Sequence, residues 1–351
     1  MIVGLDRMLE TRGQPGLPAL RSAVERLLGG RNATGRLVTE EKLLRSRVYR
    51  IAFEIGGAPR SFVVKRLSPT LSHRERLVVT RWLPRMGMSD SGPPLLTVAA
   101  EETGTCMWHV YADVGNAADT ASWSASELSA VLETVARIHR SFEAHALLGE
   151  CRAFGGDFGP VYYSASVRDA IRGVEAVEIA EARLAATCHG LLAHLYGLLD
   201  QEAERLALVR ELAGPETLVH GDLWTANVLV RAQPEGARVR LIDWDHAGVG
   251  PPTYDLSTLL FRFPLEMRPA VVELYREAGG FVAGSLAELD RNLDTAERAR
   301  LANCAVWAAA SVLETGADWA EAELAEVAEW FDALEPVLLV PAVGARAETS
   351  A

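Results

Sequence analysis

HGDLWTANVLVRAQPEGARVRLIDWD, residues 220–245, consists of two short apolar runs around a turn, with polar residues gathered at its ends. NVLVR and RVRLI have the β-branched content of strands, and Pro234-Glu235-Gly236 supplies the turn between them. Asp222 and Asn227, five positions apart, share the short loop before the first run. Asp243 comes sixteen residues after Asn227, at the C-terminal end of the second run, and Asp245 lies two further on. Phosphoryl transfer asks little covalent chemistry of a protein. It needs metal ligands for the phosphates, a carboxylate to orient the attacking hydroxyl and a cation on the phosphates that stay behind. One acid for the hydroxyl, with an Asn and an Asp as oxygen donors to Mg²⁺, is the minimum set. A lone HGD also occurs in metal phosphoesterases, and a lone DWD has the DxD spacing of aspartyl-phosphate phosphatases. Neither alternative accounts for Asn227 or for the residues upstream.

Upstream, RVYRIAFEI (47–55) and SFVVKRL (61–67) read as two strands joined through Gly56-Gly57-Ala58-Pro59. The second sets Lys65 inside an apolar run, where a lone ammonium is costly without a partner. The helical stretch 71–86 that follows offers Glu75, the only acid between Lys65 and Asp90. After a break at SDSGPP (89–94), residues 94–100 and 105–114 read as two further strands. A helix around LPALRSAVERLLGG, ending in a glycine pair, precedes them all. From about residue 123 the spacing becomes helical and stays so through most of 163–213 and everything beyond Pro251. The expected architecture is α+β, with an N-lobe over residues 1–115 and a helical C-lobe over 116–351. The N-lobe holds an N-terminal helix, a five-stranded antiparallel sheet and one further helix. Trp307, Trp319 and Trp330 fit either the shaping of a substrate pocket or core packing, with core packing the favoured expectation, and the last residues, VGARAETSA, are expected to fray.

The chain has 351 residues, 49% of them apolar and 23% charged, which suits a globular protein of two lobes. No apolar run reaches the length of a spanning helix, and Asp6 and Glu10 interrupt the N-terminus where a signal peptide needs an apolar stretch. A cytoplasmic location follows as an expectation. Cys106, Cys151, Cys188 and Cys304 show no metal-binding spacing and are expected to be buried free thiols. The net charge of −12 disfavours nucleic acid as a partner and suits a cationic small substrate, although solubility alone explains it as well.

HGDLWTANVLV…VRLIDWDHAGVGPPTYDLS resembles the catalytic core of the aminoglycoside phosphotransferase and choline kinase family, distant relatives of protein kinases. The likeness runs over roughly residues 36–264 and implies a two-lobe, protein-kinase-like fold. It implies Asp222 as catalytic base, Asn227 and Asp243 as Mg²⁺ ligands, and Lys65 on the phosphates with Glu75 as its partner. His220 and Asp255 would hold the catalytic loop. The hinge between lobes, with backbone groups of Tyr111, Ala112, Asp113 and Val114, would bind the purine edge of ATP or GTP. The segment LLRSRVYRI (43–51) departs from the pattern, having no glycine to bring backbone amides to phosphates. Ser46, between Arg45 and Arg47, is offered there as a side-chain substitute.

The resemblance implies transfer of a γ-phosphoryl group to a small-molecule hydroxyl, with an aminoglycoside or other antibiotic as the first acceptor class. A metabolic kinase for choline, homoserine or a sugar is the alternative within that chemistry, and a catalytically weak nucleotide-binding regulator is the alternative outside it. The acids Asp157, Glu175, Glu178, Glu181, Asp318, Glu321 and Glu323 in the helical regions suit a cationic acceptor. No membrane or nucleic-acid partner is expected, and the chain is expected to act as a monomer or homodimer.

Overall fold

The structure, a computed structural model, describes residues 2–3, 15–29, 35–44, 48–55, 57–115, 123–212, 214–234, 236–334 and 336–338. The chain forms two compact units. The first takes residues 1–134, 153–155 and 225–247; the second takes 135–152, 156–224 and 248–351. The hairpin carrying Asn227 and Asp243 belongs to the first unit.

In the first unit, β1 (Ile2–Val3), β2 (Gly35–Leu44), β3 (Val48–Ile55), β4 (Ala58–Leu67), β5 (Leu95–Ala100) and β6 (Met107–Ala112) form one sheet in the order β1-β2-β3-β4-β6-β5. Five strands are antiparallel as expected; the two-residue β1 adds a sixth, parallel to β2. Strand periodicity divides the residues of β3 and β4 between two faces. Tyr49, Ile51, Phe53, Phe62 and Val64 turn one way and are buried against α1 (Leu17–Leu27), through Leu20, Ala23 and Val24. The N-terminal helix thus covers one sheet face, and the residues on the other, Lys65 among them, are left for a cleft. After β4, Ser68 caps α2 (Pro69–Leu77), accepting from the Leu71 N–H, with Pro69 preset for the first turn. The expected single helix over 71–86 is interrupted by a π-helical turn at Val78–Trp82 before its last residues, Leu83–Arg85. The hairpin of β9 (Val228–Gln233) and β10 (Gly236–Leu241) is anchored on the same unit, Arg240 Nη1 donating to the Gly92 carbonyl at 2.8 Å.

Residues 125–142 form helix α3, divided between the units, as is α4 (Leu148–Phe154). The second unit packs α5 (Pro160–Ala180), α6 (Ala185–Asp200), α10 (Leu286–Thr315) and α11 (Asp318–Asp332) around one core that includes Val167, Val174, Leu191, Leu195, Ala305 and Phe331. Helices α7 (Glu202–Leu212), α8 (Pro252–Leu260) and α9 (Arg268–Glu277) complete it. A small sheet of β7 (Gly156–Asp157), β11 (Gly248–Gly250) and β8 (Thr217–Val219), in that order, lies beside the 220–224 loop. Gly248 is required there: a Cβ would meet the Gly156 backbone at 2.4 Å. Ser285 and Glu288 form a capping box at the start of α10, and Gly316, at φ 56°, ends it.

Two expectations for the tryptophans need correcting. Trp307 and Trp319 are 66% and 54% exposed; only Trp330 leans on the core. The inward face of α10 is already filled by small residues such as Ala302, Ala305 and Ala309, which leaves position 307 on the outer side. Cys106, Cys151 and Cys188 are buried and Cys304 partly so, all as free thiols. Among the described residues no helix is long and apolar enough to cross a membrane. Ser46, its two arginine neighbours and the C-terminal tail lie outside the described residues.

Candidate active site

In the first unit the chemistry gathers around Lys65. The β4–β6 register sets Lys65 opposite His109 and Val63 opposite Tyr111, and α2 brings Ser72 and Glu75, one turn apart, onto the same layer. Lys65 Nζ donates to Glu75 Oε2 at 2.8 Å, to Asp245 Oδ2 at 3.2 Å and to Asp243 Oδ1. Burial alone would drive the Lys65 pKa down, but the three carboxylates hold it well above its ordinary value, so the ammonium keeps its charge. Burial pushes Glu75 up to about 7, against the pull of Lys65, and raises Asp245 as well.

Behind Glu75 runs a buried chain of hydrogen bonds with a fixed direction. Tyr111 donates its hydroxyl to Glu75 Oε1 at 2.8 Å, and its pKa is driven far up by burial and by Glu75. The phenol oxygen therefore accepts from His109 Nδ1–H, 2.7 Å away, which leaves Nε2 to accept from Ser72 Oγ at 2.7 Å. The imidazole is neutral: burial, then the charges of Lys65 and Arg76, pull its pKa down to about 3. Arg74, on the same helix, donates to the Asp245 carbonyl at 2.7 Å and so fixes the backbone beyond Asp243.

Asp243 leaves β10 in the left-handed region, φ 67° and ψ 53°. That conformation costs on the order of 1–3 kcal/mol for a residue with a Cβ and persists where its surroundings hold it. The Ile242 N–H donates to the Asn227 carbonyl at 2.9 Å, tying the two ends of the hairpin together. Both Asn227 and Asp243 line a cleft of about 310 Å³, along with Val63, Lys65, Ala112 and Val114. Glu75, Asp243 and Asp245 offer carboxylate oxygens within 4.8 Å of one another, the only such group among the described residues. Clustered hard oxygen donors fit Mg²⁺.

The second unit holds the Asp222 loop. His220 and Gly221 donate their backbone N–H groups to the Asp255 carboxylate at 2.8 and 3.0 Å, from the first turn of α8. Asp255 also meets His139 Nε2 at 3.1 Å, and His139 Nδ1 lies 2.7 Å from the Tyr275 hydroxyl. The Asp222 N–H points to His220 Nδ1 at 3.3 Å. Gly221 sits at φ 82°, which a side chain would oppose. The loop backbone is thereby fixed while the Asp222 side chain stays partly exposed. Two residues on, the Trp224 ring carries the Arg262 guanidinium 3.1 Å from its centre and that of Arg300 at 5.1 Å.

Of the residues expected from sequence, Lys65, Glu75, Asn227 and Asp243 come together in the first unit, with Ala112 and Val114 at the cleft wall. Two hinge residues make hydrogen bonds within the sheet region. Asp113 turns its carboxylate away, accepting from Ser61 at 2.6 Å, Arg50 at 3.0 Å and the Gly115 N–H at 3.0 Å, and so clasps the strands. The Ala112 N–H is taken by the Pro94 carbonyl at 3.0 Å. Sequence reasoning missed the side-chain role of Tyr111, along with His109, Ser72 and Arg74. A histidine and a tyrosine at alternate positions of an apolar strand were the available signal.

A family model for the phosphotransferase enzyme family (APH) matches residues 44–291. No curated protein matches the sequence. Among solved structures, the chain is similar to the macrolide 2′-phosphotransferase MphH of Brachybacterium faecium at 17% identity, TM-score 0.55, covering 88% of this chain and 97% of that one. It is similar to the aminoglycoside 2′-phosphotransferase-IIIa in its GDP complex at 14% identity, TM-score 0.59, with 91% and 99% covered. The choline kinase LicA of Streptococcus pneumoniae matches at 13% identity, TM-score 0.53, with 90% and 98% covered. These likenesses give the fold as protein-kinase-like α+β, a small antiparallel sheet region and a large helical one. The family match spans well over half of the sequence, and the chain belongs to the phosphotransferase enzyme family.

Proposed function

We propose that this protein moves the γ-phosphoryl group of ATP or GTP to a hydroxyl of a small molecule, with an aminoglycoside or other antibiotic as the acceptor class. The observation that carries the reading is a cleft of the first unit, in which a charged Lys65 stands among Glu75, Asp243 and Asp245 with Asn227 in the same lining. A buried ammonium surrounded by three carboxylates is an expensive arrangement that phosphates and a cation would relieve. Lys65 holds the phosphates that are not transferred, and Glu75 keeps its Nζ in place. Asn227, Asp243 and Asp245 supply the oxygens for Mg²⁺, which when bound neutralises charge on the phosphates. Asp222, on a loop fixed by Asp255, accepts the proton of the attacking hydroxyl. Nucleotides in the complexes of structural neighbours, GDP among them, support a nucleotide as donor.

The test is ³¹P NMR of the protein with Mg²⁺ and ATP or GTP over a panel of macrolides, aminoglycosides, spectinomycin and choline. A new phosphate monoester resonance, formed with NDP, is the expected result. Binding of nucleotide with no monoester from any acceptor, and no hydrolysis, contradicts the proposal and favours a nucleotide-binding regulator.

A further inference from the structure

The β9–β10 hairpin of the first unit sets arginines against one another. In its register Arg231 lies opposite Arg238 and Leu229 opposite Arg240, so strand alternation puts the three arginines on one face. Like charges directly opposite on two strands repel and weaken the pairing. That face borders a hollow of about 250 Å³, walled by Val114 and Gly115 just past β6. Arg231, Arg238 and Arg240 all line it, and no acid does. A Cβ on Gly115 would stand 3.8 Å from Arg231 Nη2, which places that guanidinium at the wall. The chain as a whole carries a net charge of −12, so the hollow runs against its overall sign.

Carboxylates offset only part of this charge. The exposed Asp90 meets Arg238 Nη2 at 2.9 Å and, more distantly, Arg240 Nη2 at 3.9 Å. Exposed pairs of this kind contribute little. Among the described residues Arg231 has no hydrogen-bond or ion-pair partner. The repulsion is felt at the partly buried Arg240. Burial, and then the charges of Arg238 and Arg231 working against Asp90, hold its pKa below the ordinary value. The acids of α3, Glu127 and Glu133, line a separate hollow with Ala232 and Ala237, which lie on the hairpin's other face. The Lys65 cleft shares Val114, Gly115 and Leu229 with the arginine hollow, but none of its charged residues.

We propose that this hollow binds a small phosphate-type oxyanion, held between the opposed guanidinium groups of Arg231 and Arg238 with Arg240 beside them. Guanidinium groups take such oxygens in pairs and keep their charge throughout the working pH range. An anion there replaces the Arg231–Arg238 repulsion by two attractions. The site is additional to the Lys65 cleft and does not depend on what that cleft binds. Titration calorimetry at low ionic strength tests it, with pyrophosphate and inorganic phosphate as probes. Wild type is compared with Arg231→Gln and Arg238→Gln, both at exposed strand positions, and with Arg26→Gln, which removes the same charge from α1. In wild type, pyrophosphate should bind more tightly than phosphate. That binding event should weaken by about tenfold or more in each hairpin variant, as loss of a charge-assisted hydrogen bond implies, and by less than about twofold in Arg26→Gln. No binding of pyrophosphate by wild type at millimolar concentration overturns the proposal. So does an affinity unchanged in both hairpin variants, or an equal loss in Arg26→Gln, which would reduce the effect to net charge. ADP, titrated alongside, should bind both hairpin variants as it binds wild type; a loss of ADP affinity matching that of pyrophosphate would assign the arginines to the nucleotide cleft and overturn the separate site.

Discussion

The Lys65 cluster and the Asp222 loop solve opposite problems. In the first unit four charged side chains are crowded into a largely buried layer, and their positions come from one another and from the neutral chain of Ser72, His109 and Tyr111. In the second unit a single buried carboxylate, Asp255, holds two consecutive backbone N–H groups, and the side chain that matters, Asp222, is left partly exposed. Phosphates can replace charges that the first region already contains, so it is arranged for a highly charged ligand. The second region arranges backbone, and under the proposed function it holds the Asp222 carboxylate for a neutral hydroxyl. Substitutions should therefore damage nucleotide handling in one region and fold stability or the proton-transfer step in the other.

The largest separation is expected from Lys65→Met. Turnover should fall by about 100- to 1000-fold, the loss seen when one preorganised charge at a reacting group is removed. Steady-state kinetics over nucleotide concentration would show it, and a loss under tenfold would break the contrast. Asp255→Ala is the counterpart in the second unit. It strips two buried N–H groups of their acceptor at about 1–3 kcal/mol each, so thermal unfolding should shift down by several degrees. ADP affinity should stay within about twofold, since the substitution leaves the first unit's charges alone.

Smaller effects sharpen the account of the first region. Tyr111→Phe removes the donor to Glu75 Oε1 and the acceptor of His109 Nδ1–H together. Loss of a hydrogen bond to a charged group of this kind is worth roughly tenfold in nucleotide affinity or turnover. An unchanged Tyr111→Phe enzyme would reduce the chain behind Glu75 to packing. The least effect belongs to His109 and appears only with pH. Its folded pKa is about 3, below the ordinary 6.5, so at acid pH the unfolded chain takes up a proton that the folded chain refuses. The His109 contribution is complete above about pH 6.5 and declines as pH falls from there toward 3, by at most about 1.36 kcal/mol per pH unit. Urea midpoints across that range should fall less steeply in His109→Gln than in wild type.

How far the sequence could be read follows the same division. Lys65 and Glu75 were legible because an ammonium inside FVVKR demands a nearby acid, and the chain offers one. The placing of Asn227 and Asp243 at the two ends of one hairpin was legible because turn and strand signals fix that spacing locally. Asp113 was not: its orientation is set across strands by Ser61 and Arg50, which no local pattern reports. Tyr111 was read for its backbone, while the β4–β6 register turns its phenol toward α2. Trp307 and Trp319 were read as core because aromatic residues in amphipathic helices usually are; the alanines that fill the α10 core face decide otherwise. The acids of the helical region were countable but their partners were not, since Arg183 takes Glu321 from a helix far along the chain.

The claim that the two regions divide the work, one holding nucleotide and the other supplying the base, is tested most directly by Asp222→Asn. The variant should bind ADP with wild-type affinity by calorimetry and unfold at the wild-type temperature, while phosphate transfer falls by about 100- to 10,000-fold, the range expected for loss of a general base. Transfer at near wild-type rate in that variant would contradict the account.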